Sequence, residues 1–204
     1  MKFQYRLSTL FFLVTAICIF FAYRWHNCER YYAFESLASD GALMFLKGEV
    51  TREWRLIHRE RPSPTLFDYA FGFDPRSEVV VVDLRGAQID QSTIVTISRI
   101  PTVELVNLAG VDVSRCDFRS LKNSHVRVLI LAHCALSKDA LKEVYSLKSL
   151  ESLNLADTVV NEADLREFAS HPSLKYVNLF GSSVSDETVN SLAESGKEVD
   201  LIDR

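Results

Sequence analysis

The sequence predicts an α/β fold: short parallel strands, each followed by a turn and a short helix, stacked into a solenoid behind an apolar N-terminal helix. Three observations predict it. Apolar positions recur every 23 or 24 residues from Val79 onwards, the apolar period changes within each recurrence, and an uncharged run fills the space between Arg6 and Arg24.

The composition sets the bounds. With 204 residues, 48% hydrophobic and 25% charged, the chain has the balance of a globular protein and not of a disordered one. Its net charge of −4 argues against a dedicated nucleic-acid binder, and four Cys are too few for a disulfide scaffold.

The expected division is an anchor over 1–25, an N-terminal cap over 26–78 and repeats over 79–204. Within the anchor, Leu7 to Tyr23 reads LSTLFFLVTAICIFFAY, 17 residues without a charge. As a helix it spans ~26 Å at ~1.5 Å per residue, slightly short of a ~30 Å hydrocarbon core. Tyr5, Tyr23 and Trp25 stand where aromatic rings anchor to an interface. A cleaved signal peptide would need small residues after the run, and Phe20-Phe21-Ala22-Tyr23-Arg24 stands there instead. A buried core helix would carry a polar face, and this run has none. The expectation is therefore an uncleaved single-pass helix. Lys2 and Arg6 before it outweigh Arg24 and Arg30 by about one charge with the terminal amine, which places the N-terminus inside and the repeats outside the cytoplasm.

In the cap, Tyr31, Phe34, Leu37 and Ala38 share one helical face, with Gly41 as the stop. Ala42 to Leu46 reads as a short strand, Lys47-Gly48 as a turn, and Glu49 to Ile57 alternates loosely. Arg61-Pro62-Ser63-Pro64 is a break before the aromatic-rich Thr65 to Phe71. Such a region would cover the first repeat's open core. Tyr31, Tyr32 and Trp54 read as packed aromatics of that cap, with a contact surface as the alternative.

The repeats begin at Val79, Val103, Val126, Leu150 and Leu174. Each opens with an L-x-x-L-x-L pattern: Val79/Val82/Leu84, Val103/Val106/Leu108, Val126/Leu129/Leu131, Leu150/Leu153/Leu155 and Leu174/Val177/Leu179. A fourth apolar column follows at Ile89, Val113, Leu136, Val160 and Val184. Two more stand three residues apart, at Ile94, Phe118, Leu141, Leu165, Val189 and at Ile97, Leu121, Val144, Phe168, Leu192. The first part suits a strand and the last pair one face of a helix. Between them, Ala87, Val111, Cys134, Thr158 and Ser182 fill a tight interior turn. Asp90, Ser114, Ser137, Asn161 and Ser185 are the expected helix N-caps. One unit cannot bury its own inner face, so copies must stack, with Val199-Asp200-Leu201 closing the stack.

This pattern resembles the leucine-rich repeat, in the 24-residue ribonuclease-inhibitor-like form. Across nearly its full length the chain resembles the small membrane-anchored leucine-rich-repeat proteins of planctomycete-type bacteria. The residues that carry this are KFQYRLSTLFFLVTAICIFFAYR, then Phe34-Glu35-Ser36-Leu37 with Gly41, then Glu78-Val79-Val80-Val81-Val82-Asp83-Leu84. The chain departs from the family's T-x-[IV]-T-D-x-G-L pattern at Thr158-Val159-Val160-Asn161-Glu162-Ala163-Asp164-Leu165, and its second repeat is one residue short. The resemblance implies a fold and a membrane location. It brings no activity, no cofactor and no catalytic residue.

The candidate binding residues lie on the face that such folds turn inward as a concave surface. Asp83, Asn107, Ile130, Asn154, Asn178 and Asp200 form one column, beside Val81, Leu105, Val128, Ser152 and Tyr176. His133, Asp157 and Phe180 stand at strand exits. One reading is an amide and carboxylate ladder bordered by an apolar stripe, suited to a peptide or protein partner. The other is that Asn and Asp tolerate a strand facing water and pair with each other along the stack. Residues 79–204 carry 13 basic and 18 acidic side chains, without a concentrated patch.

Catalytic chemistry is not legible. Arg52, Arg55, Arg59 and Arg61 are interrupted by Glu53 and Glu60, which reads as a solvated strand edge, with anionic headgroups as the alternative contact. Outside the anchor, Cys28, Cys116 and Cys134 form no C-x-x-C pair, and the five His fall at no metal-ligand spacing. No phosphate loop and no G-x-S-x-G motif is present. The expected function is binding at a membrane through residues 7–23, with no metal, cofactor or nucleic acid. A structural envelope protein without a specific ligand is the alternative, and a small enzyme the remote one.

Overall fold

The computed structural model describes residues 14–21, 33, 36–46 and 79–201. Most of the expected anchor and cap lies outside these, including Tyr31, Tyr32, Phe34, Lys47-Gly48, Trp54, the arginine stretch and Thr65 to Phe71. Residues 14–21 are helical, with Val14, Ile17, Ile19, Phe20 and Phe21 all exposed. Among the described residues no helix is long and apolar enough to cross a membrane.

The fold is α/β, built on one seven-stranded sheet in which every strand pairs with its neighbours in chain order. The strands are β1 (Leu43–Leu46), β2 (Val79–Asp83), β3 (Leu105–Asn107), β4 (Val128–Ile130), β5 (Ser152–Asn154), β6 (Tyr176–Asn178) and β7 (Glu198–Asp200). From β2 to β7 all pairs are parallel. The first pair differs: β1 runs antiparallel to β2, with a register shift between Phe45 and Leu46. Before β1, Ala33 and Leu37 are buried and Gly41 ends the helix at φ +89°, while Ala38, expected on the same face, is exposed.

The register reproduces the repeat. Val82, Val106, Leu129, Leu153, Val177 and Val199 form one row; the first five are each 0% exposed, and the half-buried Val199 ends it.

Behind the strands lie α1 (Gln91–Ser98), a 3₁₀ helix (Phe118–Asn123), α2 (Ala140–Tyr145), α3 (Glu162–Glu167) continued by a 3₁₀ turn (Phe168–Ser170), and α4 (Asp186–Glu194). Three expected caps are in place: the side chains of Asp90, Asn161 and Ser185 accept N–H groups of the first turn. Two are not. In the short second repeat Asp117, not Ser114, caps the helix, which tightens to 3₁₀. Long side chains from both neighbours hold that turn: the Asp117 N–H donates to Gln91 Oε1 at 2.6 Å and the Phe118 N–H to Glu143 Oε2 at 2.9 Å. In the third repeat the chain turns through Lys138 and Asp139 first, so Asp139 occupies the cap position without a side-chain bond, and Ser137 offers only its carbonyl to the Ala140 N–H.

The interior turn column does more than fill space. Cys134 Sγ donates to the Leu108 carbonyl at 3.0 Å, Thr158 Oγ1 to Leu131 at 2.7 Å and Ser182 Oγ to Leu155 at 2.6 Å. Each side chain thus ties its own turn to the end of the preceding strand. Thr158→Val keeps the shape, and Val111 already occupies this column, but it removes the donor. The expected cost is about 1 kcal/mol, read from the urea midpoint, because the Leu131 carbonyl keeps its longer bond from the Cys134 N–H.

Candidate binding face

Side chains alternate across a strand, so residues flanking the buried row emerge on the opposite, outer face of the sheet. Asp83, Asn107, Ile130, Asn154, Asn178 and Asp200 occupy one register row there. Val81, Leu105, Val128, Ser152, Tyr176 and Glu198 occupy the next.

The polar row is not held by amide-to-amide pairing. Asn107, Asn154 and Asn178 each accept, through Oδ1, the N–H two residues on: Ala109 at 3.1 Å, Ala156 at 2.9 Å and Phe180 at 2.9 Å. Asp83 does the same for the Arg85 N–H at 3.1 Å. Short polar side chains favour such turns. Because a backbone N–H needs an acceptor, Oδ1 must face the turn and the NH₂ group is left as the outward donor. At the two ends the carboxylates are engaged. Asp83 binds the Arg85 guanidinium at 2.8 Å, and Asp200 accepts from the Tyr176 hydroxyl at 2.9 Å.

The apolar stripe is closed at one end. Val81 and Leu105 are 6% and 7% exposed and form a second cluster with Val80, against which Phe45, Val128 and Ile130 pack. The stripe is therefore accessible from β4 on, where Val128, Ser152 and Tyr176 are half-buried, as are Asn107, Ile130, Asn154 and Asn178 in the polar row.

Three residues after each of the first five positions of that row the chain takes a left-handed conformation, at Gly86, Gly110, His133, Asp157 and Gly181. Glycine suits such φ values; His133 (φ 56°) and Asp157 (φ 51°) adopt them at a steric cost. The geometry is fixed by a backbone ladder that continues past the strands: the N–H groups of Gly110, His133 and Asp157 donate to Ala132, Ala156 and Phe180. His133 Nδ1 stands 3.7 Å from Asp157 Oδ2, and both side chains are accessible, at 64% and 39%. The Asp157 carboxylate lies over Gly181, where a Cβ would sit only 2.0 Å from Oδ1.

One feature escaped the sequence reading. Glu104, Arg127, Glu151 and Lys175 alternate in sign along the strand entrances, joined at 3.2, 3.0 and 2.9 Å. Arg127 and then Lys175, by hydrogen bonding, hold the Glu151 carboxyl below the usual range. Its signal in the sequence is the residue after the first apolar position of the second to fifth repeats, which alternates between acid and base.

Nucleophiles and metal ligands do not converge here. Burial pushes the Cys116 and Cys134 thiols up, away from the reactive thiolate. Among the described residues no three His, Cys, Asp or Glu side chains group as metal ligands. On the helix side an open groove is lined by Arg119, Lys122, Asp139, Lys142, Glu143 and Ser146. Its Arg119 and Lys142 are already paired, with Asp117 at 2.6 Å and with Asp139 at 3.7 Å.

No protein-family model matches the chain, and no curated protein matches it.

Proposed function

We propose that the chain is a leucine-rich-repeat solenoid, anchored to a membrane through residues 7–23, that works by binding a protein or peptide and not by catalysis. The residues expected to bind, Asp83, Asn107, Ile130, His133, Asn154, Asp157, Tyr176, Asn178 and Phe180, then belong to a concave face and its rim. The observation that carries the reading is the accessible half of that face. Over β4 to β6, outward amide donors at Asn154 and Asn178 adjoin Tyr176 and Ile130, with His133, Asp157 and Phe180 along one edge. Donors, an aromatic and an acid on one rigid sheet suit a polar peptide surface. The anchor is supported by the exposed apolar side chains of the helical segment 14–21.

The second reading, a structural envelope protein without a ligand, draws on the same turns: capping the i+2 N–H explains each Asn without any partner. Photo-cross-linkers at Ser152 and Asn178 of the full chain in its native membrane separate the two. A specific binder gives one dominant adduct from these positions and none from Glu167 or Ser170 on the helix side. Similar smears from both sides mean a structural role.

A further inference from the structure

We infer that Asp157, on the rim of the binding face, is the anchor for a basic side chain, lysine or arginine, in an extended segment of the partner. This rests on the binding-face reading and gives it a chemical specificity.

Four observations converge on that carboxylate. Its backbone sits at φ 51°, in a column where Gly86, Gly110 and Gly181 adopt the same conformation without a side-chain clash. Aspartate tolerates the region better than most residues, yet less well than glycine, and such cost concentrates where a side chain is used. The carboxylate also lies over Gly181, in space that a Cβ there would fill. Among the described residues it accepts no hydrogen bond; His133 Nδ1 faces it at 3.7 Å, within ion-pair range but beyond a hydrogen bond. The two acids of the neighbouring polar row, Asp83 and Asp200, are instead satisfied by Arg85 and by the Tyr176 hydroxyl.

The surroundings define the guest. Phe180 donates its N–H to Asn178 Oδ1, and its carbonyl accepts the Asp157 N–H at 2.7 Å, so the two residues are backbone neighbours in adjacent repeats. On the other flank, Asn154 and Asn178 offer NH₂ donors from adjacent strands. A peptide whose backbone carbonyls take those donors and whose cationic side chain reaches the rim satisfies both. Its extended form keeps those carbonyls unpaired before binding.

The test uses the full chain in lipid nanodiscs and a random peptide library displayed on phage. Enriched peptides are expected to share one Arg or Lys position. Their synthetic versions should bind Asp157→Asn and Asp157→Gly at least about tenfold more weakly. Replacing the basic residue by norleucine should cost a similar factor and abolish the difference between wild type and Asp157→Asn. Asp157→Gly should melt no lower than wild type, which separates lost binding from lost folding. Equal affinity for Asp157→Asn overturns the proposal. So does enrichment without a basic residue; if Asn154→Arg blocks those peptides, the binding face stands and only the anchor falls. If no peptide is enriched, both fall.

Discussion

Phe168→Ala is expected to destabilise the protein by about 3–5 kcal/mol, the range for removing a fully enclosed aromatic ring. Phe168 is 0% exposed and closes α3 at the start of its 3₁₀ turn. It occupies the last apolar column, where the other copies place Ile97, Leu121, Val144 and Leu192. In this repeat alone that slot takes a phenyl ring. Tyr145 meets it edge-on at 5.6 Å and His171 stacks on it at 6.0 Å. Truncation therefore removes the ring's own burial and also leaves Tyr145 and His171 facing a void. In a stack, each repeat is stabilised mostly through its neighbours, so the loss should reach the units on both sides. Thermal unfolding by circular dichroism and urea midpoints of the full chain in mild detergent would measure it. Phe168→Leu should cost less, because Leu121 and Leu192 show that a leucine fits the column. A loss below about 1 kcal/mol for the alanine variant would mean that the ring is not enclosed as described.

What was legible follows from how much of the fold depends on periodicity. The buried row Val82, Val106, Leu129, Leu153 and Val177 is the same set that the L-x-x-L-x-L spacing aligns, because one strand step and one repeat length together fix a neighbour. The direction of β1 was not legible. Ala42 to Leu46 shows only that a strand fits, and pairing direction depends on a connection, not on composition. The caps failed where local preference met a constraint from another repeat. Ser114 has the right chemistry, but Gln91 and Glu143 reach in from either side and move the helix start to Phe118. Cooperation between copies, as in the donors Cys134, Thr158 and Ser182, shows in a sequence only as small size.

The site was legible as rows and opaque as chemistry. The pattern put Asn107, Asn154 and Asn178 in line, but could not show that each amide spends its oxygen on its own turn. The apolar stripe over Val81 and Leu105 looks available in one dimension, yet it is taken up in a second cluster with Phe45. Conversely, the pattern offers His133 and Asp157 as binding residues only by their place at the strand exits. Aligning them with Gly86, Gly110 and Gly181 is what turns two polar residues into two departures from a backbone rule.

Acidification from pH 7.5 to 5.5 is expected to lower the melting temperature through His171. This imidazole is 1% exposed, between Tyr145 and Phe168. The Leu174 N–H donates to its Nδ1 at 3.1 Å, so Nδ1 must be unprotonated and the hydrogen belongs on Nε2, which has no well-aligned hydrogen-bond partner among the described residues. Protonation would set two hydrogens against each other at Nδ1 and place a charge in an apolar pocket. Burial accordingly lowers its pKa, and Lys197, whose ammonium bonds the His171 carbonyl at 3.2 Å, adds to this. The carbonyls of Leu147 and Tyr145 pull the other way without reversing it. In the unfolded chain the imidazole takes its proton near 6.5, while in the folded chain it resists until lower pH. Between the two values the unfolded state binds more protons, so stability falls as pH falls, and above about pH 7.5 this contribution is flat. The carboxylates held down by hydrogen bonds act in a separate, more acidic window: Asp90 by Ser92, Asp117 by Arg119, Glu151 by Arg127 and Glu162 by Ser185. His171→Leu loses the acceptor for Leu174 and should start less stable, but its melting temperature should change little over the same interval. An unchanged slope in that variant would move the acid sensitivity to some other group and leave His171 as ordinary packing.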